Sequence, residues 1–531
     1  MAHAGGKGAA FNRFLTVAGI PLLFWNYTRI NNDAGQLLFL LAIAALAFIS
    51  RLLAEQERRR NGINQRASIL PLLWAGACTL YAAMIVWNHL FRQEILASGY
   101  RGDVFRQIYW NYWAPIYGHT EIPSLLDILL IAVLAAALYG TMKFYGERSV
   151  KTDTNKILAM FAVFNLVLII AFALSQNEAR LLQNVYDYRS FGTKNDLLLF
   201  NTLHDVWSKW DALMPALHGR NPHYPPGNFF ILKIEQLYGV PGLLKALVIT
   251  ATLLCVPLLY HLGKTLGMDR KTALLGVALF VTSASPTIFP TTSSTPATMF
   301  FTLLAYLGFF SAIKHNNSRG AVLCGVSLAL YSLLSFSVFI VGLSIFLIGL
   351  AYFCLAGDLR FNIAKTGAVA GMVFLASLLL VYELTGFNLW LCLSQSVRQN
   401  AHLMTADPFD TASRYLLRSS GNLLAYLLFT GVVPASLAAA GWFRLPKAPL
   451  KLGIFMAACL ATLLAAGFSG LFFMETERIW VFFTPFLALS AAWGVRCHTD
   501  PDIRPETSGL LVMTGFLATS VQEICFQHYW N

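Results

Sequence analysis

Runs of about twenty apolar residues recur along most of this chain, each long enough to cross a hydrocarbon layer ~30 Å thick. Such a run leaves the fold few options. Lipid offers the backbone N–H and C=O groups no water, so each run must close its own hydrogen bonds as a helix. Composition agrees. Of 531 residues, 57% are hydrophobic and 12% charged, against roughly 25% charged in a soluble domain. A chain this poor in charge cannot cover a water-facing surface of its size. A soluble globular class is excluded, and an all-α polytopic membrane protein is expected.

The apolar runs place helices near 12–28, 35–53, 69–90, 124–142, 157–175, 240–262, 272–290 and 296–314. Further helices follow near 320–337, 338–356, 365–385, 420–442, 451–470, 478–495 and 508–525. The total is roughly 13–15 transmembrane helices. The stretch 320–356 is too long for one span and is expected to turn back around Ser332–Ser337. Residues 1–10 are small and polar, and no small-residue cleavage site follows, so the first run is read as an uncleaved helix.

Lys and Arg number 38 against 26 acidic residues. A nucleic-acid binder gathers such charge on one face among aromatic platforms; here it falls in short clusters between apolar runs, and no nucleic-acid partner is expected. The clusters orient the helices instead. Arg58–Arg60, then Lys143, Arg148 and Lys151, then Lys264, Arg270 and Lys271 thread to one side. Lys314 and Arg319, Arg360 and Lys365, then Arg444, Lys447 and Lys451 thread to the same side, read as cytoplasmic. The opposite side receives the loops 91–122, 176–238 and 386–419 and the short turns 290–296 and 471–477. Those outer loops carry most of the aromatic, acidic and His residues outside the spans, which points to a site at the outer membrane–water interface. The eight cysteines are scattered without CxxC or Cys/His spacing, so neither a zinc site nor a disulfide framework is indicated.

The loop 176–238 is the most informative. From Asp196 to Leu217, the residues Leu199, Leu203, Val206, Trp210 and Leu213 recur at helical spacing with polar residues between them. This predicts an amphipathic helix lying in the interface, with Asn195 and Asp196 capping its start. There follows Arg220-Asn221-Pro222-His223-Tyr224-Pro225-Pro226-Gly227, whose prolines hold the backbone extended while Gly227 lets it turn. Arg220, His223 and Tyr224 can donate to a phosphate or a sugar hydroxyl. Late in the chain, Glu475-Thr476-Glu477-Arg478 stands where a span begins. Charges there are costly if they face lipid, and Arg478, one turn inside, needs a partner or a phosphate.

An acidic residue at the head of an interfacial helix, followed by His-Tyr-Pro-Pro-Gly entering the next span, resembles the first external loop of the GT-C superfamily of membrane glycosyltransferases. The Glu-Arg-Ile-Trp element at 477–480 is similar to one found before a late span in such enzymes. The resemblance covers roughly residues 157–495 as a catalytic module. Residues 1–156 would then be N-terminal transmembrane helices with an aromatic outer loop (Tyr109, Trp110, Tyr112, Trp113, Tyr117), and 496–531 a cytoplasmic turn and a last helix. The family implies transfer of a sugar from a polyprenyl-phosphate donor to an acceptor hydroxyl on the non-cytoplasmic face, with an Asp or Glu of this loop as general base. Asp196 fits best by position; Asp187, Asp205 and Asp211 are rivals. Glu475, Glu477 and Arg478 are expected to line the same cavity, with Arg478 on the donor phosphate.

The chemistry matches that need. A hydroxyl is a weak nucleophile, so a carboxylate must accept its proton, and the departing phosphate needs oriented donors or positive charge. The turn 290–296 holds only hydroxyls where relatives place an acid, and the loops hold no DxD pair. No metal and no cofactor beyond the lipid-linked donor is expected. The partners implied are membrane lipid, the donor, and a glycan, lipid or protein acceptor, in a bacterial plasma membrane. The alternative is a transporter or flippase of a lipid-linked saccharide, which would want ionisable residues deep in the spans; Asp127, Lys245, Glu383 and Glu523 lie near span ends. A non-catalytic scaffold would leave the hairpin unexplained.

Overall fold

The structure is a computed structural model, which describes residues 13–22, 45, 69–97, 118–120, 123–148, 153–176, 193–217, 224–356, 359–406, 411–470, 476–499 and 505–528. The N-terminal helices are α1 (Arg13–Leu22), α2 (Ile69–Ala97), α3 (Leu125–Arg148) and α4 (Thr154–Gln176). A chain of short elements follows: α5 (Thr193–Leu198), α6 (Leu203–Ser208), α7 (Trp210–Leu213) and α8 (Gly227–Tyr238). Next come α9 (Leu243–Thr265), α10 (Arg270–Val281), α11 (Ser285–Ile288), α12 (Ala297–His315), α13 (Ser318–Ser332) and α14 (Val338–Leu355). The remainder is α15 (Arg360–Thr385), α16 (Leu389–Ala406), α17 (Ala412–Thr430) and α18 (Val432–Trp442), then α19 (Leu450–Gly467), α20 (Thr476–Ile479), α21 (Thr484–His498) and α22 (Pro505–Cys525). Two three-residue strands, β1 (Gly118–Thr120) and β2 (Phe526–His528), pair antiparallel.

Among the described residues, nine helices are long and apolar enough to cross a membrane, or up to eleven if each of two bent pairs makes one span. The chain is an all-α polytopic membrane protein. The run expected at 35–53 lies outside the described residues save for residue 45. The run expected at 320–337 forms α13, whose 15 residues reach only ~22 Å at 1.5 Å per residue, short of the hydrocarbon thickness. The break before α14 falls at residues 333–337, where the turn was expected. Outward-facing Met372, Leu375, Leu379 and Leu380 of α15 are more than half exposed or close to it, which is the surface a lipid-facing helix needs.

One continuous apolar core joins the N-terminal helices to the rest. Trp87 of α2 donates its indole N–H to the Leu417 carbonyl at 2.6 Å, and Phe164 of α4 packs on Phe516 of α22 at 6.3 Å. Small residues set the closest helix approaches, as expected where lipid supplies no hydrophobic drive between helices. Gly308 of α12 faces Gly320 of α13, and Gly441 of α18 faces Gly494 of α21; a Cβ at any of the four would run into opposing backbone.

Two expected single spans are bent. The helix predicted at 272–290 turns by 59° between α10 and the segment Ser285–Thr291. Thr282 and Ser283 bond their hydroxyls back to Ala278 and Leu279 at 3.0 and 2.7 Å, and Pro286 has no N–H to continue the ladder. The helix predicted at 420–442 turns by 112° at Gly431, whose φ of 120° is open only to glycine without strain. Residues 386–419, read as a long loop, are largely helical, forming α16 and the start of α17. Their polar residues masked the helical period.

Candidate functional site

The single interfacial helix expected over 196–217 is a correction: the segment is broken into α5, α6, α7 and a 3-10 turn, Met214–Ala216. The break has a chemical cause. Thr202 caps α6 by accepting from the Asp205 N–H at 3.1 Å, while Asp205 accepts from the backbone N–H of Asn201 and Thr202 at 3.1 and 3.0 Å. That reciprocal box starts a new helix. Pro215 then tightens the end into a 3-10 turn. The pieces lie on their own small apolar core. Trp210 stacks on Phe200 at 5.7 Å and meets Phe229 edge-on at 5.0 Å, while Trp207 meets Phe230 and Phe387 at 5.4 and 5.6 Å.

The acids of this layer therefore have different duties. Asp205 is a cap and also pairs with Lys209 at 2.9 Å; the Lys209 hydrogen bond, helped by the backbone donors, holds its carboxyl below the ordinary range. Asp196 stands in the first turn of its helix rather than at the very start expected for it. It lies inside α5, which begins at Thr193, and is fully buried. Lys233 of α8 reaches toward the same short helix, donating to the Leu197 carbonyl at 3.4 Å and to Gln236 at 2.7 Å. Burial pushes the Lys233 ammonium below its usual range, opposed by the nearby Asp205 charge. Glu235 accepts from the Leu244 N–H at 2.6 Å and so holds the start of α9. Lys233 and Glu235 escaped the sequence reading, although two charges inside the apolar run Phe229–Leu237 were a signal.

Asp211 accepts from the backbone N–H of Asn388 at 3.0 Å, tying α7 to the start of α16, where Asn388 itself caps Trp390 and Leu391. Burial raises the Asp211 carboxyl above its ordinary value, against the lowering effect of the Asn388 bond. A carboxyl raised on folding lends stability that is fully present below the unfolded-state value and lost as pH rises through the folded one. Asp211→Asn keeps an acceptor for Asn388 without the charge. It is expected to melt higher than the parent at pH 7.5 and level with it near pH 4, measured by intrinsic-fluorescence melting across that range.

The hairpin enters the bundle through Pro225, Pro226 and Gly227, all buried. Pro226 accepts the first bond of α8 from Phe230 at 2.8 Å, and the Gly227 N–H donates to the Leu333 carbonyl at 2.9 Å. A Cβ on Gly227 would collide with that carbonyl. Glycine is thus needed for close approach rather than for the turn expected from sequence. Gly227→Ala is expected to cost about 1–3 kcal/mol by overpacking, read as a lowered melting temperature together with loss of activity as the hairpin is pushed out. Asn228 strengthens the same seam through a 3.4 Å bond to the Leu334 carbonyl.

Three distant segments meet beside this hairpin. Arg478, 8% exposed in the short helix α20, donates through Nη1 to Ser293 Oγ and through Nη2 to the Tyr224 hydroxyl, both at 3.3 Å. Ser293 belongs to the turn 290–296, expected as a short surface turn. Thr291 to Thr295 are instead buried, held by contacts such as Ser293 Oγ to Thr295 Oγ1 at 2.8 Å. Thr476 anchors α20 by donating to the Asn422 carbonyl at 2.8 Å. Three segments expected from the charge pattern to share one side converge there. A guanidinium keeps its charge at any accessible pH and offers a planar fork of donors suited to phosphate. Neutral, rotatable hydroxyls around it can yield to an anionic oxygen.

The structure thus brings Tyr224 and Arg478 together and adds Ser293, while Asp196 and Asp205 lie in the short helices α5 and α6. Glu477 occupies the second position of α20. Asp187, Arg220, His223 and Glu475 lie outside the described residues. Among the described residues no three His, Cys, Asp or Glu side chains gather as a metal site. Residues 333–337 carry the hairpin seam on one side; at their other end, Val338 and Phe339 begin the wall of an apolar cavity of about 540 Å³ between α12, α13, α14 and α15. Gly342, Gly349, Gly367 and Gly371 leave its room. Comparison with protein-family models and with curated proteins returns no match for the chain.

Proposed function

We propose that this protein is a glycosyltransferase that moves a sugar from a polyprenyl-phosphate donor to an acceptor hydroxyl at the outer membrane interface. The observation that carries the proposal is the meeting of Arg478, Tyr224 and Ser293, three phosphate-competent donors from segments 224, 293 and 478. In this reading the donor phosphate exchanges with the two hydroxyls at the Arg478 fork. The apolar cavity behind residues 333–337 takes part of the lipid tail, and the anomeric carbon faces the interfacial layer. The acceptor oxygen forms a bond to the anomeric carbon as the bond from that carbon to the phosphate oxygen breaks. The electron pair leaves with the phosphate, whose charge Arg478 balances, and the proton passes to a carboxylate. Asp196 is that base in this proposal, with Asp187 of the same loop as the alternative; Asp205 is already engaged by Lys209 and two backbone donors.

Full burial of Asp196 requires the α5–α7 layer to lift for acceptor entry, as lids do in other enzymes. The test is incubation of the purified protein with a panel of polyprenyl-phosphate sugars and mass spectrometry of the products. Free polyprenyl phosphate together with a glycosylated acceptor supports the proposal. An intact panel after exposure to glycan, lipid and peptide acceptors counts against it.

A second reading has one observation in its favour. The bends of 59° and 112° are what transporters of lipid-linked saccharides would use, since discontinuous helices aim their ends at substrates. In proteoliposomes a flippase would move the lipid-linked sugar across the bilayer without cleaving it.

A further inference from the structure

At the end of the bundle where the basic turns gather, a second cavity of about 640 Å³ opens between three stretches. These are the turn Gly267–Asp269 with Thr272 of α10, the connection Arg444–Pro449 after α18, and Trp493–His498 at the close of α21. Its wall holds three cations, Arg444, Lys447 and Arg496, against one carboxylate, Asp269. That carboxylate is engaged: it pairs with Arg496 at 3.1 Å and accepts from the Thr272 N–H and hydroxyl at 2.9 and 2.8 Å. Among the described residues no carboxylate pairs with Arg444 or Lys447.

His498 shows that the cavity is built. It is 7% exposed, and its Nδ1 lies 2.9 Å from the Gly494 carbonyl, which can only accept. Nδ1 therefore carries the proton, and Nε2 is left with a lone pair that accepts from Arg444 Nε at 3.3 Å. The neutral imidazole fixes the guanidinium by one nitrogen and leaves both terminal amino groups for a ligand. Topology alone requires only exposed basic residues on this side; it does not require an arginine oriented by a buried histidine inside a concave wall.

We propose that this cavity binds a phosphate ester, held by the Arg444 fork and Lys447, with the half-buried Trp493 beside it. Two sources share that chemistry, the headgroup of an anionic membrane lipid and a free phosphate. Basic recesses between helices at the cytoplasmic interface suit the former. The site is separate from the Arg478 centre and does not depend on the reaction proposed there.

The experiment is native mass spectrometry of the detergent-solubilised full chain with phosphatidylglycerol or phosphatidylcholine, alongside competition by inorganic phosphate. Tighter retention of phosphatidylglycerol than phosphatidylcholine is expected. Arg444→Gln with Lys447→Gln should weaken it about tenfold or more, and the exposed Lys447→Gln alone several-fold with an unchanged melting temperature. Lys314→Gln, a basic residue outside the cavity wall, should leave retention unaltered. Displacement by millimolar inorganic phosphate would identify a free phosphate as the natural occupant; its failure would identify the lipid. Equal retention of phosphatidylglycerol by the parent and Lys447→Gln, with the double variant also equal or unfolded, would overturn the proposal.

Discussion

Arg478→Gln is expected to lower polyprenyl-phosphate release by about 100- to 1000-fold, the usual consequence of removing one preorganised donor from a site of developing negative charge. The side chain is nearly buried and points at Ser293 and Tyr224, so Gln can still meet one hydroxyl while losing the charge and the fork. Arg478→Lys retains the charge without the fork. It should recover at most a small part of the rate, because an ammonium is a strongly hydrated point charge without the planar, preorganised fork that serves two segments at once. Steady-state rates with a saturating donor, compared with melting curves of the same samples, separate loss of catalysis from loss of fold. The effect should fall mainly on the chemical step, since charge on the leaving oxygen grows toward the transition state.

The second large effect is expected at Asp196. Asp196→Asn preserves shape and removes the basic oxygen, so transfer should fall by about 100- to 10,000-fold while the melting temperature changes little. A purely structural Asp196 would give the converse: a lowered melting temperature and a turnover per folded molecule near that of the parent. Asp205→Asn supplies the contrast, because its carboxylate closes the cap on α6 and pairs with Lys209. Its loss should loosen the interfacial layer and lower stability without a comparable fall in the rate of the folded fraction.

Much of the membrane architecture was readable in the sequence because hydrophobic length is a strong signal: a helix that must cross lipid cannot hide its composition. The basic clusters also sorted the turns correctly enough that Gly267–Thr272, Arg444–Pro449 and Trp493–His498 meet at one end. Tyr224, Ser293 and Arg478, from three other segments expected to share a side, likewise converge. Charge records which side a turn lies on, and side largely decides which turns can touch. The details that failed are those set by local backbone chemistry beneath the apolar period. Leu199, Leu203, Val206 and Trp210 keep helical spacing across the break at Thr202, so periodicity alone could not show that the Thr202–Asp205 box restarts the helix.

The same limit applies to the bends. The residues responsible, Thr282-Ser283 with Pro286 and Gly431, stand in the sequence, but hydropathy averages over them. The role of Gly227 was hidden for another reason. Its neighbour is the Leu333 carbonyl, more than a hundred positions away, and no local pattern reports a contact at that distance. The turn 290–296 holds only hydroxyls where the family resemblance calls for an acid; beside a guanidinium, a rotatable hydroxyl such as that of Ser293 is a partner that an anion can replace.

In the proposed reaction the fork of Arg478, with Tyr224 and Ser293, holds the phosphate of a lipid-linked donor. The most direct measurement is a cryo-EM map of the purified protein incubated with a polyprenyl phosphate. Phosphate density is expected within hydrogen-bonding distance of Arg478 and Tyr224, with the first isoprenyl units running past residues 333–337 into the cavity lined by Phe339 and Ile345. A map in which the phosphate lies elsewhere, with the Arg478 contacts to Ser293 and Tyr224 undisturbed, would contradict it.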